Sequence, residues 1–203
     1  MQQAIKHLVA KDKKLAKVIR KCGQCTIERK RIIDPYRALS RSIIYQQLAT
    51  KAAASIYKRF LAIGEGNHPK PEEIISASDT QLRVVGLSRQ KASYIRDLAE
   101  KKIAGELPST RRINSMTDDE IIAELTKVKG VGPWSVEMYL MFTLGRLDIL
   151  PVTDYGIQKG FSKLYLDGDT LPTKDDFAKR SKLWAPWRSV ASWYLWRALE
   201  VDL

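Results

Sequence analysis

Cysteine and histidine are scarce in this 203-residue chain, at two of each. Cys22 and Cys25, with only His7 and His68 elsewhere, cannot build a four-cysteine zinc ribbon or iron–sulfur cluster, nor the disulfide framework of a small secreted domain. Cys22-x-x-Cys25 is half a metal site at most, and two histidines leave little room for a nucleophilic triad. Walker A and G-x-G-x-x-G motifs are missing, so nucleotide hydrolysis and dinucleotide redox chemistry have no support. No stretch approaches the roughly 20 apolar residues of a membrane span. The opening MQQAIKHLVAKDKKLAKVIRKCG breaks its apolar groups with charge and offers no signal-peptide core, which points to a cytoplasmic protein, or a nuclear one in a eukaryote. Acid is short as well. Asp and Glu total 23 against 35 Lys and Arg, a net charge of +12 that draws polyanions, with nucleic acid first among them.

What is present suits a globular core, with 44% hydrophobic and 29% charged residues. Apolar residues recur at helical spacing and alternating strands are scarce, so the pattern predicts an all-α fold. A first helix is expected from His7 to Lys21, with Leu8, Leu15, Val18 and Ile19 on one face and Gly23 as its stop. Asp34-Pro35 reads as an N-cap and first-turn pair opening a run from Tyr36 to Phe60, long enough to contain a break, with Leu39, Ile43, Leu48, Ala52 and Ile56 as its apolar stripe. Pro71 opens a short helix, and Ser78 with Gln81 forms a capping box whose segment Gly86 closes. Ser88 caps RQKASYIRDLAEKK, where Ala92, Ile95 and Leu98 face inward and Arg89, Lys91, Arg96 and Lys101 stay in water. Thr117 with Glu120 starts another helix, and Pro133 restarts one through Phe142 to Gly145. Helical segments from Tyr155 to Tyr165 and from Trp187 to about Leu199 complete the chain.

Several residues can carry chemistry. Gly130-Val131-Gly132 joins two helices in a strongly basic chain, where backbone N–H groups can approach a phosphate; the same spacing also serves a bare helix connection. Asp154 stands before a helix, either as a plain cap or as a fixed anion that stabilises developing positive charge. Trp184, Trp187, Trp193 and Trp196 crowd the C-terminal region beside Tyr194, as core or as faces for stacking a base. Gln46-Gln47 interrupts an apolar run, and two amides there are costly if buried without partners, which places them at a groove or a helix break.

Ile43-Ile44-Tyr45-Gln46-Gln47-Leu48 with Lys51-Ala52-Ala53, then Val128 to Met138, then Leu150-Pro151-Val152-Thr153-Asp154-Tyr155-Gly156, and finally Pro186 to Trp196, together resemble the helix-hairpin-helix DNA glycosylases. Within them the 3-methyladenine DNA glycosylase II group is the nearest pattern. The resemblance spans all but about the first 30 residues. It implies two helical subdomains around a cleft, 1–35 with 147–203 and 36–146, with the helix-hairpin-helix at about 118–145. It also implies an enzyme that flips alkylated purines from duplex DNA and hydrolyses the N-glycosidic bond. Duplex DNA containing damaged bases is then the partner, with no membrane and a monomeric state.

By the same resemblance Asp154 takes the catalytic position, and Lys129, Gly130, Val131 and Gly132 belong to the hairpin that grips phosphate. Gln46 and Gln47 lie in the DNA-contacting turn, Gln47 where relatives plug the gap left by the flipped nucleotide. Trp134, Tyr155 and Trp196 match substrate-pocket positions. The backbone carbonyls of Thr126, Val128 and Val131 match those that hold a structural Na+ or K+ in relatives; no cofactor is required, and no iron–sulfur cluster is expected. Strand-cleaving relatives carry a lysine where this chain has Trp134, so a Schiff base from that position is unavailable and the product is an abasic site. The alternatives are a non-catalytic helix-hairpin-helix DNA-binding module and a glycosylase for oxidised or deaminated bases. The choice among damaged purines is not readable in the sequence.

Overall fold

The computed structural model describes residues 1–28 and 34–202; residues 29–33 and 203, inside the expected first subdomain, lie outside them. The described chain is helical, with no strand beyond a single Gly64–Asn67 bridge. In order the helices are α1 (Gln2–Lys11), α2 (Lys13–Cys22), α3 (Pro35–Tyr45), α4 (Thr50–Ala62), α5 (Pro71–Ser76), α6 (Asp79–Val85) and α7 (Arg89–Ile103). There follow α8 (Thr110–Ser115), α9 (Asp118–Leu125), α10 (Pro133–Tyr139), a π-helical turn (Leu140–Leu144), α11 (Tyr155–Tyr165), α12 (Lys174–Ser181) and α13 (Arg188–Ala198). None is long and apolar enough to cross a membrane. The chain divides into two compact units, Met1–Lys30 with Leu140–Leu203, and Arg31–Tyr139.

In the first unit α13 is the central element, burying Val190, Ala191, Trp193, Tyr194 and Leu195. Helix α11 comes so close that a Cβ at Gly160 would lie 2.0 Å from the Leu195 carbonyl oxygen. Trp184, fully buried, packs edge-on to Phe161 at 6.2 Å, so this part of the aromatic C-terminal region is core. The expected helix from His7 to Lys21 is instead two, broken at Asp12, whose backbone is extended. The break lets the Asp12 carboxylate accept from Lys14 N at 3.1 Å and Leu15 N at 3.0 Å. Its other oxygen accepts from Trp184 Nε1 at 3.0 Å and Tyr165 OH at 2.9 Å. A carboxylate 2% exposed needs such donors, and a continuous helix would have spent those N–H groups on its own carbonyls. Burial, followed by the Asp12 charge, pushes the Tyr165 phenol well above its ordinary range.

In the second unit the caps at Ser78, Ser88 and Thr117 form as the sequence predicts, and Gly86 closes α6 in a left-handed conformation. The run from Tyr36 to Phe60 breaks after Tyr45, and the break shifts the helical phase. Ala53 and Phe60 are buried in α4 rather than Ala52, and Leu48 is 40% exposed instead of joining the core. Asp34 makes no cap bond and pairs with Lys102 at 2.8 Å. Lys91 and Arg96, expected in water, turn inward to bare carbonyls. Lys91 Nζ donates to Ile44 O at 2.8 Å and Gln46 O at 2.7 Å, and burial lowers its pKa. Arg96 donates to Ala77 O at 2.7 Å and pairs with Asp79 at 2.9 Å. The expected helix from Pro133 to Gly145 turns into π geometry at Leu140, and two helices whose bounds were not expected from the sequence form behind side-chain caps, α8 behind Ser109 and α12 behind Thr173.

Candidate functional site

Asp154 is set by a tight turn ahead of α11. Val152 N donates to Leu150 O at 2.9 Å and Asp154 N to Pro151 O at 3.0 Å, while Gln158 Nε2 holds Val152 O at 2.9 Å. Farther back the chain is tied to the start of α13: Arg188 grips Asp148 through two bonds of 2.7 Å, and Ser189 Oγ accepts from Ile149 N and donates to Arg146 O, each at 2.8 Å. Thus α13 anchors the segment leading to Asp154.

The same helix also reaches the carboxylate itself. Asp154 Oδ1 accepts from Ile157 N at 2.8 Å, the N-cap bond of α11, and from Trp196 Nε1 at 2.8 Å. The indole in turn lies 5.8 Å from the Phe142 ring on the π turn. A Cβ at Gly156 would meet Trp196 Cδ1 at 2.8 Å, so a side chain there would push the indole off the carboxylate. Asp154 is only half-buried, and neighbouring Tyr155 is 65% exposed. A fixed, part-exposed anion at a helix N-terminus can stabilise a developing cation or orient a water as base. Trp196 spends its N–H on Asp154, a constraint between residues 42 apart that no local pattern reveals.

The hairpin lies between α9 and α10. Gly130 has φ +75°, and a Cβ there would come within 2.1 Å of the Tyr94 ring, so backbone and packing both require glycine. The Lys129 N–H points inward to Asp97 Oδ2 at 2.9 Å, leaving its mostly exposed ammonium, 3.5 Å from Asp97 Oδ1, to face outward. Val131 N donates to Val128 O at 3.1 Å. The N–H groups of Gly130 and Gly132 donate to no described residue, which suits an anion. The carbonyls of Thr126, Val128 and Val131 lie in this same hairpin. Trp134 opens the next helix, 42% exposed.

Gln46 and Gln47 form the break after α3, and the two part company. Gln46 Nε2 donates to Gly130 O at 2.9 Å, while Gln47 is exposed at φ +55°, a left-handed backbone rare outside glycine. Leu48 stands exposed beside it. Three residues of one α7 face, Lys91, Tyr94 and Asp97, hold this turn and the hairpin; sequence reasoning placed Lys91 in water and assigned none of the three this role. The available signal was Asp97, a carboxylate beside the buried Ile95, Leu98 and Ala99.

The structure therefore brings Asp154 and Trp196 together, with Tyr155 on the same helix, in the first unit. Gln46, Gln47, Thr126, Val128, Lys129, Gly130, Val131, Gly132 and Trp134 belong to the second. Against known proteins, residues 40–186 match the HhH-GPD superfamily base excision DNA repair protein model. The chain is 37% identical over 169 residues to DNA-3-methyladenine glycosylase 1 of Schizosaccharomyces pombe, covering 83% of this chain and 74% of that protein. The structure of 3-methyladenine DNA glycosylase (Mag1) from the same yeast, in complex with abasic DNA, is similar at a TM-score of 0.87 and 34% identity over 98% of each chain. That of a DNA-3-methyladenine glycosidase from Bacillus halodurans aligns at 0.84 and 38% identity, over 96% of this chain and 88% of that one.

Proposed function

The chain belongs to the HhH-GPD superfamily of base excision DNA repair proteins, and from that premise we propose that it is a DNA glycosylase. It removes alkylated purines from duplex DNA by hydrolysing the N-glycosidic bond and leaves an abasic site. The observation that carries this reading is the Asp154 carboxylate, locked by Ile157 N and Trp196 Nε1 yet part-exposed, in a chain that also has a hairpin whose Gly130 and Gly132 N–H groups donate to no described residue.

Each element has a task. The hairpin N–H groups of Gly130 and Gly132, with the Lys129 ammonium, bind backbone phosphate without reading sequence. Gln47 fills the gap left by the flipped nucleotide, and its left-handed backbone projects it from the turn. N-alkylation makes the purine cationic and a good leaving group, so the bond needs little general-acid help. Aromatic faces favour such a base, and Tyr155 and Trp134 are exposed enough to offer them. Asp154 stabilises the oxocarbenium-like sugar, directly or through the attacking water, and Trp196 holds its orientation. Trp134 provides no amine for a Schiff base, so strand cleavage is outside the chemistry.

The three carbonyls of Thr126, Val128 and Val131 are neutral hard donors fitted to Na+ or K+. The Val128 oxygen, accepting one bond from Val131 N, keeps a second lone pair. A cation there would add positive charge beside the phosphate. The setting is the compartment that holds DNA, cytoplasm or nucleus.

The test is chromatography of free bases released from methylated duplex DNA, with Asp154→Asn beside the wild type. Methylated purines should appear with the wild type and fall by about 100-fold or more in the variant. Equal release by both would remove Asp154 from the chemistry. Duplex binding without release by either would favour a DNA-binding module built on the hairpin.

A further inference from the structure

Building on the reading that this chain flips nucleotides from duplex DNA, we propose that Gln46 is a positioning residue that couples the phosphate grip of the hairpin to insertion of Gln47. The argument starts from the hairpin peptides. The N–H and C=O of one peptide unit point in opposite directions. Asp97 fixes one unit by accepting from Lys129 N. The unit of Gly130 C=O and Val131 N–H is fixed on both sides, by Gln46 Nε2 and by Val128 O. The N–H groups of Gly130 and Gly132 belong to the units that flank that fixed one, and they donate to no described residue.

The other end of the linkage is the Gln47 backbone. Lys91 Nζ bonds the carbonyls of Ile44 and Gln46, closing α3 and fixing the peptide that leads into Gln47. Residue 46 is therefore held through its carbonyl by α7 and through its side chain by the hairpin, while residue 47 keeps a strained backbone with its side chain exposed. The single bond from Gln46 to Gly130 is the short path between the element that grips phosphate and the one that enters the helix. One N–H of its amide is committed to the Gly130 carbonyl. Gln46 thus acts through its neighbours, on the hairpin peptide and on the turn that carries Gln47.

The test measures binding to two duplexes at one salt concentration, one intact and one carrying a tetrahydrofuran abasic analogue, with 2-aminopurine fluorescence reporting unstacking beside the lesion. Gln46→Leu should weaken binding to both duplexes, because the hairpin peptide it holds is released, but more on the abasic one. It should lower the preference for abasic duplex, and the 2-aminopurine signal, by about threefold to tenfold, the worth of one hydrogen bond. Gln47→Ala alone and the Gln46→Leu/Gln47→Ala pair should lose the abasic preference to the same extent, because for that preference the first residue works through the second. Lys91→Met, which releases the same turn from the other side, should repeat the pattern with the thermal midpoint lower by about 3 to 8 °C. Additive penalties, an equal loss of affinity on both duplexes, or an unchanged abasic preference would each overturn the coupling. A wild-type protein with no preference for abasic duplex would remove the glycosylase reading, and the coupling with it.

Discussion

Asp12 and Asp154 begin from the same local chemistry. Each precedes a helix, accepts backbone N–H bonds from its first turn, and receives an indole N–H, from Trp184 at 3.0 Å and from Trp196 at 2.8 Å. They differ in what surrounds them. Asp12 is 2% exposed and adds the Tyr165 hydroxyl, whereas Asp154 stays half-buried beside the exposed Tyr155. The cap and the tryptophan make a well-held carboxylate in both places. Only the one left open can meet a substrate.

The strongest test of that contrast is to remove each carboxylate in turn. Asp12→Ala leaves the Trp184 and Tyr165 donors buried without an acceptor and should lower unfolding free energy by about 3 to 5 kcal/mol in urea titrations. Asp154→Asn should do the reverse, keeping stability within about 1 kcal/mol, because asparagine caps a helix as well as aspartate, while base release collapses. A large stability loss from Asp154→Asn, with activity kept, would erase the distinction.

Exchanging the indoles sharpens it. Trp184→Phe should cost about 1 to 3 kcal/mol of stability, the range for a hydrogen bond to a charged group, and leave the rate per folded molecule unchanged. Trp196→Phe keeps a ring against Phe142 and should instead slow single-turnover base release by about tenfold with abasic-duplex affinity nearly constant. Gln47→Gly moves to the other unit with a smaller effect. Relief of the φ +55° backbone should stabilise the protein by about 1 kcal/mol, and loss of the plug should lower excision. Excision retained in Gln47→Gly would take the plug role from Gln47.

The effect smallest at neutral pH contrasts Asp12, with its four donors, with a histidine ring that has none among the described residues. The His68 ring nitrogens have no hydrogen-bond partner among the described residues, and the ring sits among Tyr36, Tyr57 and Phe60. Burial, with Arg37 nearby, holds its pKa down at about 4 against an ordinary 6.5. Between those values the unfolded chain binds the proton and the folded one does not. Stability is therefore full above about pH 6.5, falls as pH drops and levels off below about 4. Melting curves of His68→Phe should lack that slope.

Much of this was legible in residue order. The capping pairs at Ser78 and Thr117, the stop at Gly86 and the bounds of α11 follow from contacts within a turn, and such contacts are written in neighbouring residues. The family resemblance pointed to Asp154, Gln47 and the hairpin. It could not show that the Gln46 side chain bonds Gly130 while Gln47 stays exposed, because that bond joins residues 84 apart. Nor did helical spacing foresee the inward Lys91, since it answers to the carbonyls of Ile44 and Gln46, brought in from α3 and the turn after it.

The sequence by itself determined the all-α class, most helix boundaries, the basic excess and the presence of an aspartate at the head of α11. Tertiary structure alone decided that the first helix breaks at Asp12, that Leu48 is exposed, and which capped aspartate stays open. The reason is range. Caps and periodicity act over about four residues, whereas burial is set by partners such as Trp184, 172 residues from Asp12, and Trp196, 42 from Asp154.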